Sequence, residues 1–419
     1  MVRLLTATFL SPLLLALVSH ADEPARHDFT TGADFSFIQT NGVDSWTDGF
    51  VGKLRYDDFS DGLTISRGFL EHRFRLADTL DTRVAIEAYD DNLGPAADFT
   101  EAFLEWRPVP RSRNRYRFKL GAFYPRVSME NVDPGWSSPY TLSSSAINSW
   151  IAEEIKTIGA ELSVSRRPQS LGGRHTFVGQ VAVFYANDPA GSLLAWKGWS
   201  VHDRQTRFGD KLPLPPLPQI QPGRLMERQD PFVAPFREID NRAGYYLNGE
   251  WRIGQRFALR AMHYDNRGDP EAVEGGQYAW RTKFVHVGAQ ATLPLEIGLI
   301  GQWMRGSTVM GSPVDGVHLV DTEFDSLFLL LTRRFDKHRI SARYDNFEVT
   351  QNDSTPEDNN PESGHTWTLA YRYSASDNVQ LAAEWLSIKT HHCGWVYYGI
   401  LPTHTEQQLQ LSLRFQFGN

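Results

Sequence analysis

Basic side chains recur at every second position in two short stretches of this sequence. Arg115, Arg117 and Lys119 form one such series, and Arg73 with Arg75 forms another. Side chains two positions apart lie on the same face of a β-strand. Fixed charges on one face discriminate between charged solutes when the face lines a narrow space, because Coulomb energies there exceed those in bulk water. The spacing therefore predicts a wall of fixed charge that selects solutes electrostatically.

Strands are the elements that must position these charges. In the C-terminal stretch 409–417, five apolar residues alternate with four polar ones without a break. A helix would scatter the apolar residues around its axis, whereas a strand collects them on one face. The same alternation recurs at 84–89, 115–123, 155–164, 245–253, 256–264, 295–303 and 365–373. The pattern predicts an all-β chain whose strands of about ten residues are long enough to cross a bilayer at a tilt.

The predicted connections between strands alternate in length. The short ones are 76–81, 107–114, 166–173, 252–256, 293–296, 334–338 and 374–378. The long, polar ones are 91–98, 124–154, 187–240, 266–280, 306–321, 351–363 and 391–404. Short turns at one end and long loops at the other are typical of outer-membrane barrels.

Counting back from the C-terminus predicts sixteen strands. They are 48–57, 65–76, 80–90, 99–107, 115–123, 155–166, 175–186, 241–252, 256–265, 281–292, 295–305, 322–335, 338–350, 364–374, 378–390 and 405–417. The predicted fold is a transmembrane antiparallel up-and-down β-barrel with long external loops and short periplasmic turns. Segment 29–38 is left open as a periplasmic lead, as part of the closing seam, or as one of two extra strands in an eighteen-stranded barrel.

The apolar face of each strand is predicted to face lipid, and the polar face a wet interior. Aromatic side chains near strand ends fall on the apolar face, as expected at membrane interfaces. They are Trp106, Tyr116, Trp251, Trp303, Trp367 and Trp385. The alternative is that these are core aromatic residues of a soluble secreted β protein, such as a β-sandwich or a carbohydrate-binding protein.

The polar face also predicts which further residues line the interior. Four arginines continue the lumen-facing series: Arg260, Arg343, Arg372 and Arg414. Loop 124–154 is expected to fold inward as a constriction loop, carrying Arg126, Glu130 and Asp133. Carboxylates opposite a basic wall would create a transverse field that orders polar solutes. The alternative is that inward Arg and Glu pair with each other to satisfy buried charge.

The N-terminus predicts export. Arg3 precedes an apolar run from Leu4 to Val18, and Ser19 with Ala21 forms a small-x-small cleavage pattern. We expect a signal peptide at 1–21, a periplasmic lead or seam segment at 22–47 and the barrel at 48–419, after Sec-dependent export. The net charge of −8 argues against a general nucleic-acid binder.

Two stretches carry a resemblance to a known family. The last strand resembles that of bacterial outer-membrane porins, although Gly418 and Asn419 follow its final aromatic residue. RFKLGAFYPRVSMEN (117–131), followed by IKTIGAEL (155–162), resembles the phosphate-selective porin class, in which a comparable strand enters a loop that folds into the pore. The resemblance implies a passive channel, association as a homotrimer and basic residues at the constriction. Here loop 124–154 holds Arg126, no lysine and several acidic residues.

Other features of the sequence point to no catalytic chemistry. There is no GxSxG, HExxH, paired CxxC or GxxxxGK pattern. His391, His392, Cys393 and His404 share one predicted loop, but their spacing matches no zinc pattern. The proline-rich run 211–222 favours a stiff, extended conformation, and loop 187–240 could be an external lid, a plug folded into the pore or a contact with a neighbouring protomer. The alternative is a flexible surface excursion. We expect neither a cofactor nor a metal.

The function predicted from sequence is that of an outer-membrane porin, which passes small hydrophilic solutes or ions by diffusion. Its partners would be outer-membrane lipid, the solutes and further copies of the chain in a homotrimer. An alternative is a plugged outer-membrane barrel that acts as an enzyme or an adhesin.

Overall fold

The computed structural model describes residues 27–418, so the predicted signal peptide at 1–21 lies outside the described residues. Sixteen antiparallel strands form a closed barrel in which each strand pairs with its neighbours in the chain and the last pairs with the first. In chain order they are β1 (His27–Thr40), β2 (Gly62–Ala77), β3 (Leu80–Ala88), β4 (Ala97–Trp106), β5 (Asn114–Phe123), β6 (Thr157–Arg166), β7 (His175–Tyr185), β8 (Gly244–Ile253), β9 (Phe257–Asp265), β10 (Arg281–Leu293), β11 (Ile297–Met310), β12 (Val320–Phe335), β13 (His338–Gln351), β14 (Glu362–Ser374), β15 (Val379–His392) and β16 (Thr403–Gly418). The predicted fold class is confirmed.

Alternation along each strand sorts the side chains between the two faces of the wall. In β12, Phe324, Phe328 and Leu330 are buried inside the barrel, whereas Leu327 and Leu329 are exposed on its outer surface. The aromatic residues predicted for the lipid-facing side also lie on the outer surface; they are Trp106, Tyr116, Trp251, Trp303, Trp367 and Trp385. The period-two pattern therefore predicts which way a side chain points.

One predicted strand is wrong. Residues 48–57 form no barrel strand and belong to the loop 41–61, while segment 29–38 lies within β1. β1 closes the barrel by pairing with β16, for example Phe35 with Leu413. The barrel consequently begins at His27 and not at residue 48. Loop 41–61 turns inward instead, because it buries apolar side chains under the neighbouring loops, Val51 and Leu54 among them.

The other fifteen predicted strands match observed ones with small shifts at their ends. The connections alternate as predicted between short turns and long loops, with 41–61 as a further long loop. We call the two ends of the barrel the short-turn end and the long-loop end. Both described termini lie at the short-turn end, because the number of strands is even.

The long loops carry most of the remaining regular structure. There are two α-helices, α1 (Ala146–Glu154) and α2 (Ser192–Trp196), and two small hairpins, Leu212–Pro213 with Phe232–Val233 and Val273–Glu274 with Gln277–Tyr278. The 3-10 turns are Trp46–Asp48, Asp58–Ser60, Pro134–Trp136, Gln169–Leu171, Pro218–Ile220, Pro294–Glu296 and Cys393–Tyr398. Within 27–418, none of the helices is long and apolar enough to cross a membrane.

Two apolar clusters hold the loops in place. The lumen core lies inside the barrel, where α1 presents Ile147 and Trp150 to inward side chains such as Phe284 and Phe324. The cap core joins the long loops to one another above it and includes Trp46, Trp196, Leu214 and Tyr278. The long-loop half of the barrel therefore has a packed interior.

Candidate functional site

The inner loop, residues 124–156, leaves the wall after β5 and folds into the barrel. Arg260 on β9 donates from Nη1 to the backbone carbonyls of residues 126–128 at 2.9 to 3.3 Å. On β11, Gln302 Oε1 accepts from the backbone N–H of Met129 at 2.7 Å. These contacts satisfy backbone groups that would otherwise be buried without partners. They also fix the first part of the loop to the wall opposite β5.

Arg343 on β13 is the most densely bonded residue of this arrangement. Its Nε lies 3.0 Å from Asp345 and its Nη1 lies 3.3 Å from Glu130 of the inner loop. The guanidinium also donates to the carbonyls of Ser143 and Ser144 at 2.7 and 2.8 Å. The planar five-donor group of arginine suits this many acceptors at once. All three charged side chains are fully buried, so the inner loop is fastened here by a desolvated ion cluster.

Two more wall arginines bind the loop further along. Arg372 on β14 donates to the carbonyl of Ser138 at 2.5 Å. Arg414 on β16 forms a two-pronged pair with Asp34 at 2.6 and 2.7 Å and donates to Ser137 Oγ at 3.1 Å. Each arginine thus connects the wall to the loop.

The tip of the inner loop reaches β2. The backbone N–H of Gly135 donates to Glu71 at 2.6 Å, and its carbonyl accepts from Arg67. On β15, Glu384 accepts from the N–H of Leu142 at 2.6 Å. The loop therefore folds inward, as predicted, and it contacts the wall from β9 around to β2 and crosses the barrel.

These positions correct several predictions. Arg260, Arg343, Arg372 and Arg414 point inward as expected, but they are at least nine-tenths buried in contacts around the inner loop and do not line open space. Glu130 is fully buried against Arg343 and faces no basic wall across water. Arg126 is half-exposed and lies 3.4 Å from Glu250, and Asp133 is partly buried near the loop tip. Pairing between inward charges, the alternative considered above, describes Arg126, Glu130, Arg260, Arg343 and Arg414. Arg372 instead binds a backbone carbonyl of the inner loop.

A second layer, residues 187–207, lies over α1. Glu154 at the end of α1 accepts from Trp150 Nε1 at 2.7 Å, from the N–H groups of Leu193 and Leu194 at 3.0 and 3.2 Å, and from Ser192 Oγ at 3.1 Å. These donors are neutral, and burial raises the pKa of Glu154 to about 7. Glu154 is thereby the polar joint between the inner loop and the second layer.

The neighbouring Glu153 has the opposite electrostatic environment. Lys197 Nζ lies 2.6 Å and His202 Nε2 lies 2.7 Å from the same oxygen of Glu153. Burial alone would raise the pKa of Glu153, but these two partners outweigh it and lower the pKa to about 2. Lys197 also packs over the Trp46 ring at 4.5 Å, which ties loop 41–61 to the same cluster.

Lys156 follows α1 and sits in an aromatic cage. Its Nζ lies 4.8, 4.9 and 4.4 Å from the ring centres of Tyr124, Phe208 and Phe236, and it donates to the carbonyl of Thr206 at 2.7 Å. Ring faces attract a cation, but full burial dominates and lowers the pKa of Lys156 to about 7. The cage joins the inner loop to both parts of loop 187–240.

The short-turn half of the barrel has a different character, and we call its interior the vestibule. A cavity of about 190 Å³ lies against β1 to β4. It is lined by Asp28, Thr30, Glu71, His72, Arg73, Arg83, Val84, Ala85, Glu101 and Phe103. Charged side chains dominate this lining, in contrast with the apolar lumen core.

The basic residues predicted first all lie at this end. Arg115, Arg117 and Arg75 are exposed, and Arg73 and Lys119 are partly exposed. Their nearest carboxylates are Asp81 for Arg73 (2.7 Å) and Arg75 (3.9 Å), Glu105 for Arg117 (3.5 Å) and Glu161 for Lys119 (3.9 Å). Whether these residues line a conducting path stays a prediction.

A second cavity of about 480 Å³ opens on the far side of the vestibule. Its lining includes Tyr140 of the inner loop, Gln290, Thr332 and Arg334. The Arg339 guanidinium lies 5.0 Å from the Tyr140 ring centre, which places a cation over an aromatic face. The inner loop thus separates the packed long-loop half of the barrel from the vestibule.

The predicted histidine and cysteine cluster does not converge on one point. Cys393 Sγ lies 3.8 Å from His391, whereas His392 stacks on Trp395 and His404 lies on another side of that ring. Within 27–418, the carboxylates of Asp188, Glu238 and Asp240 do come within 4.8 Å of one another. Asp188 is already occupied by the N–H groups of residues 239 and 240.

The wall side chains that bind the inner loop are called the clamp, and its arginines are Arg260, Arg343, Arg372 and Arg414. Sequence reasoning missed the acidic side chains of the clamp. Asp34, Glu250, Asp345 and Glu384 bind the arginines or the backbone of the inner loop. The available signal was parity, because Asp345 stands two positions after Arg343 and shares its face. Two side chains of opposite charge on the inward face of one strand indicate an ion pair more strongly than they indicate a charged pore wall.

Comparison with known proteins supports the fold alone. No protein-family model matches the chain, and no curated protein matches it. An anion-selective porin from Comamonas acidovorans has a similar structure, with a TM-score of 0.51, 12% identity and coverage of 93% of this chain and 99% of that one. The outer-membrane protein OmpT of Vibrio cholerae, in its loop L8 deletion form, gives 0.50 at 11% identity with the same coverage. In-vitro folded OmpT, in its trimer form, gives 0.50 at 10%.

Proposed function

We propose that this protein is a channel of the bacterial outer membrane that passes small hydrophilic anions and carries out no catalysis. The observation that carries the proposal is the vestibule wall, where Arg75, Arg83, Arg115 and Arg117 are exposed, whereas Asp81 and Glu105, which pair with Arg75 and Arg117, are buried. Asp28 is the exposed carboxylate of the cavity lining, and these arginines outnumber it. A sixteen-stranded barrel is wide enough for an aqueous path, whereas an eight-stranded barrel is filled by its own side chains. The fold and the lining together support a channel.

Exposure decides the sign of the proposed selectivity. The side chains of Arg75 and Arg117 are 44% and 47% exposed, whereas those of Asp81 and Glu105 are 4% and 7% exposed. At these two ion pairs a passing ion therefore meets the guanidinium group before it meets the carboxylate. Because the field of the nearest accessible charge is the least screened, the wall favours anions.

The inner loop makes the proposed channel selective and narrow. It crosses the barrel above the vestibule, and the second layer covers it from the long-loop end. Solutes would pass along the edges of this packing or during movements of the loop. A wide unspecific pore is a poorer match to a packed lumen core.

The similar structures bear on this proposal through their names. The Comamonas acidovorans protein is described as an anion-selective porin, and OmpT was obtained in a trimer form. We carry anion preference and homotrimer formation to this chain as proposals. Phosphate is a candidate solute, since the sequence resembles the phosphate-selective class and arginine forks match phosphate oxygens.

The test is single-channel recording from the refolded chain in a planar bilayer with a salt gradient. We expect discrete current steps and a reversal potential of the sign given by anion preference. The double variant Arg115→Glu/Arg117→Glu should shift that potential toward cation preference. The matched control, Arg224→Glu/Arg228→Glu, makes the same charge change on an exposed segment of loop 187–240 and should leave it unchanged.

Three results would count against the proposal. Cation preference in the unaltered protein would reverse the assigned sign. An equal shift in the control would mean that overall charge, and not the vestibule wall, sets selectivity. Absence of current from verifiably inserted protein would exclude an open channel. Replacing chloride by phosphate then compares the two anions in the same membrane.

A second candidate is a plugged barrel that displays its cap as a binding surface, in the manner of an adhesin. The observation that favours it is the burial of the second layer, where Trp196, Trp199 and Arg207 are at most 2% exposed. Such packing suits a rigid platform. Absence of current from inserted protein, combined with intact heat-modifiable mobility on a gel, would favour this candidate.

A further inference from the structure

One sector of the short-turn end is basic to a degree that the channel proposal does not require. From Arg107 to Lys119, from Leu162 to Val178 and from Trp251 to Tyr264 the chain contains arginines and no Asp or Glu. These three segments surround the turns that follow β4, β6 and β8. The whole chain has a net charge of −8, so the positive charge here is local.

The three turns form one continuous surface, which we call the basic rim. β5 pairs with β6, β6 with β7 and β7 with β8, so the turns are neighbours around the barrel. Arg113 Nη2 donates to Gln169 Oε1 at 2.7 Å, which joins the first turn to the second. The N–H of Gly254 donates to the carbonyl of Arg174 at 2.8 Å, which joins the second to the third.

The arginines of the basic rim are accessible. Eight are exposed: Arg111, Arg113, Arg115, Arg117, Arg166, Arg167, Arg174 and Arg256. Within residues 27–418, seven of these form no ion pair, namely Arg111, Arg113, Arg115, Arg166, Arg167, Arg174 and Arg256, whereas Arg117 pairs with Glu105. Their charge is therefore uncompensated by the protein. The remaining short turns differ, because Asp336 accompanies Lys337 and Glu296 and Asp377 stand in the turns on either side.

The basic rim borders the apolar outer surface. Trp251 stacks on His175 and Phe177 with ring centres 5.9 and 6.4 Å apart and near-parallel planes. Such rings are typical of the depth at which lipid headgroups begin. Arg166 continues the outward series of Leu162 and Val164, so its side chain leaves the wall on the lipid-facing side.

We propose that the basic rim binds the phosphate groups of anionic phospholipids in the leaflet at the short-turn end. The inference rests on the proposed membrane location. It assigns a partner to the arginines of the basic rim outside the vestibule wall, and leaves Arg115 and Arg117 to the proposed channel. Guanidinium forks match phosphate oxygens, and arginines beside an aromatic belt meet them at headgroup depth. A soluble anion would have no reason to prefer arginines arranged along the edge of the apolar surface.

The test compares lipids directly. The full chain is refolded into vesicles that contain brominated phosphatidylglycerol or brominated phosphatidylcholine, and quenching of Trp fluorescence gives the relative binding constant. We expect phosphatidylglycerol to be preferred by about fivefold or more at low salt, roughly the contribution of one basic side chain near an anionic surface. The preference should decrease as salt is added, because the phosphates are partly screened.

Variants assign the preference to the basic rim. Arg166→Gln/Arg167→Gln/Arg174→Gln should bring the two lipids close to equal quenching. The control Arg224→Gln/Arg228→Gln/Arg242→Gln removes three exposed arginines, two in loop 187–240 and one just before β8. It should keep the preference for phosphatidylglycerol. Heat-modifiable mobility on a gel verifies that each variant is folded.

Several outcomes would overturn the proposal. Equal quenching by both lipids in the unaltered protein would remove it, and so would equal loss of preference in the control. Suppression of the preference by soluble polyglutamate, but not by uncharged peptide, would point to an acidic soluble partner instead. A barrel that conducts no current can still show the lipid preference, and a conducting barrel can lack it, so this test fails independently of the channel proposal.

Discussion

The two halves of the barrel interior use the same residue type in opposite ways. Arg343 and Arg117 both point inward from a strand, but Arg343 is fully buried between Asp345 and Glu130, whereas the Arg117 side chain is 47% exposed with Glu105 at 3.5 Å. The first arginine holds protein, and the second faces the vestibule. An inward direction therefore does not show that an arginine lines a water-filled space. Its role depends on whether the side chain contacts the folded inner loop or water.

The largest expected effect comes from Arg343→Met. Removing the guanidinium leaves Glu130 and Asp345 buried without their cation, and breaking a buried ion cluster in this way costs about 3–5 kcal/mol. The free energy of unfolding, measured by urea titration of the refolded barrel, should fall by that amount. Release of the inner loop should also raise single-channel conductance.

Arg117→Gln is the matched test in the other half. It removes an equally inward charge that is 47% exposed and lies 3.5 Å from its carboxylate partner Glu105, so its stability change should stay below about 1 kcal/mol. Comparable losses from the two variants would contradict the contrast between the halves. The triple variant Arg343→Met/Glu130→Gln/Asp345→Asn should recover part of the lost stability, because it also neutralises the two carboxylates that the guanidinium contacts.

The fold could be predicted from the sequence because a strand reports its orientation at every second residue. Segments such as β12 and β16 carry that period over their whole length, so their position and facing follow from it. Residues 48–57 misled for a physical reason: Val51 and Leu54 are apolar because loops bury them, and not because lipid does. Period alone cannot separate these two causes of burial.

The clamp could not be predicted in the same way. That Arg343 meets Glu130 depends on the path of the inner loop, which joins residues 213 positions apart in the chain. Asp345, two positions after Arg343, is a local sign of pairing, but nothing in the sequence near Arg343 identifies Glu130 as its second partner. The difference between Arg343 and Arg117 lies in long-range packing, because the inner loop fills the space that Arg343 faces, and the path of that loop follows no regular period.

A second test uses pH and Glu154→Gln. Burial raises the pKa of Glu154 to about 7 from its ordinary value of 4.5, so the folded state binds a proton more tightly than the unfolded state between those values. Its contribution is therefore fully present below pH 4.5 and is lost as pH rises through 7, by about 3 kcal/mol in total. Between pH 4.5 and 7, the free energy of unfolding of Glu154→Gln should decrease less with rising pH than that of the unaltered protein.

Two other carboxyl groups, Glu153 and Asp188, also affect how the free energy of unfolding depends on pH. Glu153 has a lowered pKa of about 2, so its contribution is present above pH 4.5 and is lost only as pH falls below that value. Asp188 has a pKa raised to about 7 by burial and has the same sign as Glu154, so some slope should remain. Asp188→Asn supplies the complementary variant. An unchanged slope in Glu154→Gln would exclude Glu154 as a titrating joint between the inner loop and the second layer.

A last pair of variants separates packing from backbone strain in the second layer. Gly191 precedes α2 with a φ of +95°, and a Cβ there would collide with the hydroxyls of Thr282 and Thr308 on the wall. Gly223, in the exposed part of loop 187–240, has a φ of +80° and open space around it. Gly223→Ala should therefore cost only the left-handed backbone penalty of about 1 kcal/mol, whereas Gly191→Ala should cost roughly 2 kcal/mol more. Equal losses of unfolding free energy in the two variants would contradict this expectation. They would mean that the second layer rearranges to accommodate an added methyl group, so that the long-loop half of the barrel is not tightly packed at this point.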